Sequence, residues 1–313
     1  MTKHLVLSVM LLFCAVTAVA APADRPVAIL LSDVLPVYEQ PVAAFENKIS
    51  GTSKIVTFNL KGDIQNAPAV MTQLMAHKPS LIFALGAKAA WFSKLATRNH
   101  PETAVIFAMV LNWQRYELLD KQPNIAGISA DVAPGTQLFN LGLFAPQIKR
   151  VGVIYNPAHS AATLAKAREA AALVGVELIA KPINQAVEVE RDWRQISSKI
   201  DAFWVLNDPV VYTLTNIYWL RDRCIKERVV CIGQSDNATR LGLMLSVNPN
   251  SASIGMQAAA MAEAILHGGV NPGSLGVQDP LGTWLTVNTK TAEKVGLALD
   301  PKSLSVVDEI VSD

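Results

Sequence analysis

Ten strand-length apolar runs, separated by stretches of helical periodicity, constrain this chain more than any other feature of its sequence. They fall at 27–31, 54–59, 81–85, 105–110, 125–129, 151–155, 177–182, 202–206, 229–232 and 243–247. Several, such as 27–31, 81–85 and 105–110, are apolar almost throughout, without the polar alternation of a strand that shows one face to water. They predict strands covered on both faces, as in a parallel sheet between helices. Helical spacing fills most of the intervals, for example 161–174 and 254–267. The pattern is α/β. Ten strands are too many for one ordinary doubly wound sheet, and two similar lobes account for them better.

The strand series restarts after Arg150, where 145–150 makes a polar entry into a fresh βα unit. Asn248-Pro249-Asn250 and Gln278 to Gly282 read as two further crossings between lobes. Three crossings predict a three-segment hinge, with hinge residues at element ends. The expected division is 24–128 plus 249–280 for an N-terminal lobe and 129–248 plus 281–313 for a C-terminal lobe.

The amino terminus bears on the compartment. Lys3 is the only charge before Asp24, residues 5–16 are apolar almost without break, and Ala18-Val19-Ala20 follows. A basic start, a short apolar core and an Ala-x-Ala end describe a secretory signal peptide over residues 1–20, cleaved near Ala20. The apolar run is shorter than the roughly 20 residues that span a bilayer. Phe13 before Cys14 is too large for lipid attachment at that cysteine. The expected product is a soluble periplasmic chain that does not span the membrane.

The formal charge of +1 includes Lys3, so cleavage leaves a mature chain of zero net charge. That balance argues against nucleic acid or an acidic membrane surface as a main partner. Cys224 and Cys231 are the mature chain's cysteines. In an oxidising compartment such a pair bridges or stays as two buried thiols, and both readings stand, because sequence does not supply the Cα separation.

Open parallel sheets bind ligands beyond the carboxyl ends of their strands. Read at those ends, the sequence offers Ser32 and Asp33, then Gly86, Ala87 and Lys88, then Val110. The second half offers Tyr155, Asn156 and Ser160, then Asp208, then Ser235 and Asp236. Gly86 stands between a strand and a helix, where free N–H groups and the helix dipole favour an anion. A βα turn that binds nothing is the other reading. Asp208 is placed either to take an ammonium group or to cap the helix that Pro209 would begin. Asn156 and the Ser235-Asp236 pair carry the same two readings. Tyr38, Trp91 and Tyr155 can stack on a ligand or fill core and rim.

Signatures of catalysis are missing. There is no Gly-x-Ser-x-Gly, His-Glu-x-x-His or Gly-x-x-x-x-Gly-Lys-Ser/Thr, and no Gly-x-Gly-x-x-Gly follows the first strand. His77, His100, His159 and His267 form no metal-ligand spacing. Neither a cofactor nor a metal is expected. An exported enzyme using Asp208 and His159 is a rival reading, and it needs those side chains within hydrogen-bond reach.

The strand-end segments resemble the ABC-transporter substrate-binding proteins often labelled tryptophan/tyrosine transport binding proteins, a branch of the type I periplasmic binding-protein fold. The resemblance rests on the segments 79–86, 123–129, 149–157, 254–259 and 287–297, which run in family order. It implies two lobes, three crossings, a small-molecule ligand in the cleft and delivery to an inner-membrane permease with a cytoplasmic ATPase. It also implies that Ala87, Lys88 and Ala89, the Asp208 position and the Ser235-Asp236 turn face that cleft. The family commonly has Gly-Thr where this chain has Gly86-Ala87, so one hydroxyl is lost. The resulting expectation is a monomeric solute-binding component of an ABC importer, closing over a carboxylate-bearing, amino-acid-like ligand and doing no chemistry on it. The alternative is an exported sensor that presents its closed form to a membrane partner without transport.

Overall fold

The computed structural model describes residues 25–312. The signal-peptide reading of 1–20, with Lys3 and Cys14, lies outside them. Among the described residues no helix is long and apolar enough to cross a membrane.

The first half of the chain alternates β1 (Val27–Leu31), α1 (Glu39–Ile49), β2 (Ile55–Asn59), α2 (Ala67–Ala76), β3 (Leu81–Leu85), α3 (Ala87–Thr97), β4 (Ala104–Val110) and β5 (Ile125–Ser129). The second half continues with α4 (Pro134–Phe144), β6 (Arg150–Tyr155), α5 (Pro157–Leu173), β7 (Glu177–Pro182), α6 (Val189–Ile196), β8 (Ala202–Trp204), α7 (Leu214–Glu227), β9 (Val230–Gly233), α8 (Asp236–Arg240) and β10 (Leu245–Pro249). Then come α9 (Ser251–Leu266), β11 (Val277–Gln278), β12 (Thr283–Asn288) and β13 (Glu309–Val311). The ten apolar runs all contain strands. β11, β12 and β13 were not expected.

Two sheets result. One has the order β11-β5-β4-β3-β1-β2 and is parallel throughout. The other has the order β13-β12-β10-β9-β8-β6-β7, with β12 antiparallel to β10. Both are covered on both faces, as their apolar strands predicted. Val27 and Ile29 pack into one cluster of the first lobe and Ala28 and Leu30 into the other. Trp204 and Phe203 divide in the same way between the two cores of the second lobe. This is the two-lobed α/β architecture expected from the sequence.

The chain passes between the sheets after β5, after β10 and after β11. The last pairings before the first two passages reach Ser129 and Pro249, one residue beyond the divisions expected at 128/129 and 248/249. The passages are fastened to each other. Asn250 N–H donates to the Gly282 carbonyl at 2.9 Å. Buried Gln257 of α9 donates to the Asp279 carbonyl and accepts from Leu281 N–H. At the first passage the Ser129 hydroxyl donates to the Asp131 carbonyl and accepts its N–H, closing a tight turn. The returning helix α9 lies against α1 because Gly255 carries no Cβ. A methyl there would meet Ala44 Cβ at 2.9 Å and press on the Pro41 backbone.

Candidate functional site

The expected site residues form three groups. The first surrounds the start of α3. Gly86 caps it at φ 88°, ψ 168°, a conformation nearly confined to glycine. An added Cβ would meet the Ser32 hydroxyl oxygen at 2.6 Å and clash with the Tyr38 hydroxyl. Ser32 Oγ accepts the Ala89 N–H at 2.9 Å, so a side chain of the protein already takes one donor of the expected anion site. The Lys88 ammonium donates to the Gly62 carbonyl at 2.7 Å. Asp33 turns one carboxylate oxygen onto the Val34 N–H. Burial pushes the Tyr38 phenol above its ordinary pKa, partly offset by its hydrogen bond with Ser32.

The second group is centred on Asp208, which is fully buried. Its Oδ2 accepts the Asn156 N–H at 2.7 Å and the Ser160 hydroxyl at 2.6 Å. Its Oδ1 accepts the N–H groups of Val210 at 2.9 Å and Val211 at 3.3 Å. Four internal donors leave no lone pair facing a ligand ammonium. Asn156 is spent likewise: its Oδ1 caps α5 through Ala158 N–H and its Nδ2 donates to the Ile183 carbonyl. Asn156, Ser160 and Asp208 therefore tie β6, α5 and the turn after β8 together. His159, next to Ser160 in the chain, is exposed, and among the described residues it makes no hydrogen bond to Asp208.

The third group lines a cavity of about 450 Å³ where the lobes meet the crossings. Ser235 and Asp236 reach it from the second lobe, and Val37 and Gln40 from the first. Ala130, Asn248 and Pro249 reach it from the crossings. Val110 does not. It is buried beside Phe107 and Leu118 in the first-lobe core. The reason is a bulge: Phe107 pairs with Gly127 but Val110 with Ser129, so β4 carries one extra residue. Met109 takes it up at φ 57°, and Met109 and Leu111 face the cavity instead. Tyr155 packs against the second-lobe core and Trp91 lines a separate first-lobe groove with Lys88 and Tyr116.

Sequence reading missed the part of the wall contributed by Arg240, Trp284 and Glu309. Arg240 closes the end of α8, with Nη1 3.0 Å from Asp236 Oδ2 one turn back. Its Nε and Nη2 grip Glu309 of β13 at 2.8–3.1 Å. The signal for β12 was present: Leu285 and Val287 face the core, while Trp284 and Thr286 point the other way, the period-2 pattern of a strand. Beside the first crossing, Asn207 Nδ2 donates to Asp131 Oδ1 at 2.9 Å, and Asn207 N–H donates to Gln234 of the cavity wall. Burial holds the Asp131 carboxyl above the usual carboxylate range, against the lowering effect of the Asn207 bond.

Among the described residues no group of three His, Cys, Asp or Glu side chains is placed to hold a metal. Two parallel-rich lobes, three crossings between them and a cavity where they meet define a type I periplasmic binding-protein fold. The chain belongs to the family of ABC transporter substrate binding proteins, whose pattern it matches over residues 44–311. It is 22% identical over 255 residues to a tyrosine-binding protein of Clostridioides difficile, covering 80% of this chain and 72% of that one. The ligand-free, open structure of a substrate-binding protein with adhesive properties from Clostridium difficile superposes with a TM-score of 0.75. It is 20% identical, over 92% of this chain and 100% of the other. An ABC domain from Streptococcus pneumonia in complex with L-Trp gives 0.61 at 17% identity, over the same shares.

Proposed function

We propose that this chain is the exported solute-binding component of an ABC importer, periplasmic and monomeric. It closes its lobes over a small, carboxylate-bearing, amino-acid-like ligand and presents the closed form to an inner-membrane permease. The lobes that close are 24–128 with 249–280 and 129–248 with 281–313. The observation that carries this reading is the cavity at the hinge, walled by side chains of both lobes and of two crossings. A ligand there touches both lobes only when they approach, and its differential affinity for the closed form sets the shift. Moving the population from 1:99 to 99:1 takes about 5.5 kcal/mol. The relatives named for tyrosine and solved with L-Trp support an amino-acid-like ligand. Met109, Leu111 and Ile254 give the cavity apolar surface for its side chain.

Native mass spectrometry of gently purified protein, followed by a thermal-shift screen with L-tyrosine and L-tryptophan in the panel, tests the reading. A ligand specific to the native state raises the melting temperature. The liganded protein is expected to have a smaller radius of gyration in solution scattering. A ligand that binds tightly and leaves the radius unchanged refutes closure.

A further inference from the structure

Helix α3 carries a buried cation with no carboxylate beside it. Lys94 is 5% exposed, and among the described residues it makes no ion pair. Its ammonium lies 5.5 Å from the centre of the Trp91 ring and donates to the Glu117 carbonyl. A buried charge held by one ring and one carbonyl is costly, and an apolar side chain of the same length would fill the space at less cost.

The acceptor is itself in a strained place. Glu117 closes the turn Trp113–Tyr116, between β4 and β5, at φ 48°, and Asn112 opens it at φ 49°. Both are left-handed and neither is glycine. Asparagine tolerates that region through its short polar side chain; glutamate gains nothing there. Such a backbone persists only where its surroundings hold it. Within the loop, Glu117 N–H donates to the Gln114 carbonyl at 2.9 Å, and the Glu117 carbonyl takes the Asp120 N–H at 3.0 Å. From outside the loop, Lys94 supplies a second hydrogen bond to that carbonyl, across 23 residues.

The turn serves two surfaces. Leu111, next to Asn112, is half-exposed in the wall of the inter-lobe cavity, and Arg115 and Tyr116 line the first-lobe groove with Trp91. At the start of the turn Trp113 leans on Phe107, where the β4 register shifts. A core ring thus ties the near end and Lys94 the far end.

Resting on the cavity assigned above, we infer that Lys94 is a positioning residue for ligand binding. Its ammonium pins Glu117, fixes the turn 112–117 and so sets Leu111 against the ligand, at a cost in stability.

The test uses the full mature chain. Lys94→Met keeps the length and removes the donor, and circular dichroism checks the fold. Removing the buried charge offsets losing the bond, so the melting temperature is expected within about 2 °C of wild type or above it. Arg115, Glu117 and Asp120 donate the N–H groups that close the turn. In the ligand-free variant their hydrogen exchange is expected to quicken about tenfold, with α3 and β4 unchanged. Titration calorimetry with L-tyrosine and L-tryptophan is expected to show Kd raised about fivefold in Lys94→Met and restored toward wild type in Lys94→Arg. Because Lys94 acts through Leu111, that effect should fall below about twofold in a Leu111→Ala background. The inference is overturned if exchange across 112–117 is unchanged, or if Lys94→Met leaves the Kd of a bound probe at its wild-type value. It is overturned equally if the effect on Kd persists in full beside Leu111→Ala, or if Lys94→Met fails to fold, which would make Lys94 a stability residue. A wild type that binds neither probe counts against the proposed ligand class, and hydrogen exchange then decides the inference by itself.

Discussion

Replacing Asp208 distinguishes a side chain that holds the second lobe together from one that reads a ligand. In Asp208→Ala four donors lose their acceptor. The Ser160 hydroxyl can turn elsewhere, and the Val210 N–H is only half-buried, but the N–H groups of Asn156 and Val211 are enclosed. Two buried donors left unpaired, at about 1–3 kcal/mol each, give a loss near 4 kcal/mol. At roughly 2–4 °C per kcal/mol for a domain of this size, the melting temperature falls by about 8–16 °C. Asp208→Asn keeps the shape, yet whichever way the amide turns, its NH₂ faces a backbone N–H on one side. About half the loss is expected. Differential scanning calorimetry of the ligand-free proteins measures both. An alanine variant that melts within about 2 °C of wild type while losing ligand affinity would refute the structural role and restore the ligand-reading one.

Two further outcomes follow from the same geometry. Burial raises the folded-state pKa of Asp131 above its ordinary 3.8, so its ionisation penalises the native state. Stability is lost as pH rises from about that value through the raised one and stays reduced above it. Asp131→Asn is therefore expected to stabilise the protein at pH 7 and to gain less near pH 4, read from melting temperatures across pH; an equal gain at both would count against the assignment. Cys224 and Cys231 lie with Cα atoms 6.0 Å apart, within bridging range, and a bridge closes a short loop across a separation of 7 residues. Non-reducing peptide mapping is expected to recover them linked, with reduction costing about 2 kcal/mol on the chain-entropy estimate; two separately alkylated thiols in the unfolded, unreduced protein would refute it.

The lobes and their parallel sheets were legible because burial on both faces imposes continuous apolar runs, as in 27–31 and 151–155, that few other architectures need. The Gly86 turn was legible as a tight βα junction, since a single glycine separates the apolar run 81–85 from the helix that follows. Its anion-binding capacity was not decided there, because the reach of Ser32 Oγ to Ala89 N–H across 57 residues is a tertiary fact. Asp208 shows the same limit: a carboxylate at a strand end reads alike whether four internal donors surround it or none do.

Sequence alone determined the order in which the first ten strands and their helices alternate, since hydrophobic periodicity is local. Tertiary structure decided which strand-end residues share a space. The extra residue in β4 exchanged Val110 for Met109 and Leu111, a register change that composition does not encode. Arg240 and Glu309 meet only because the chain's end returns as β13 beside β12, 69 residues on. Asn248 and Trp284 face one cavity because an antiparallel pairing sets them opposite each other, and pairing is fixed by the whole sheet rather than by either strand.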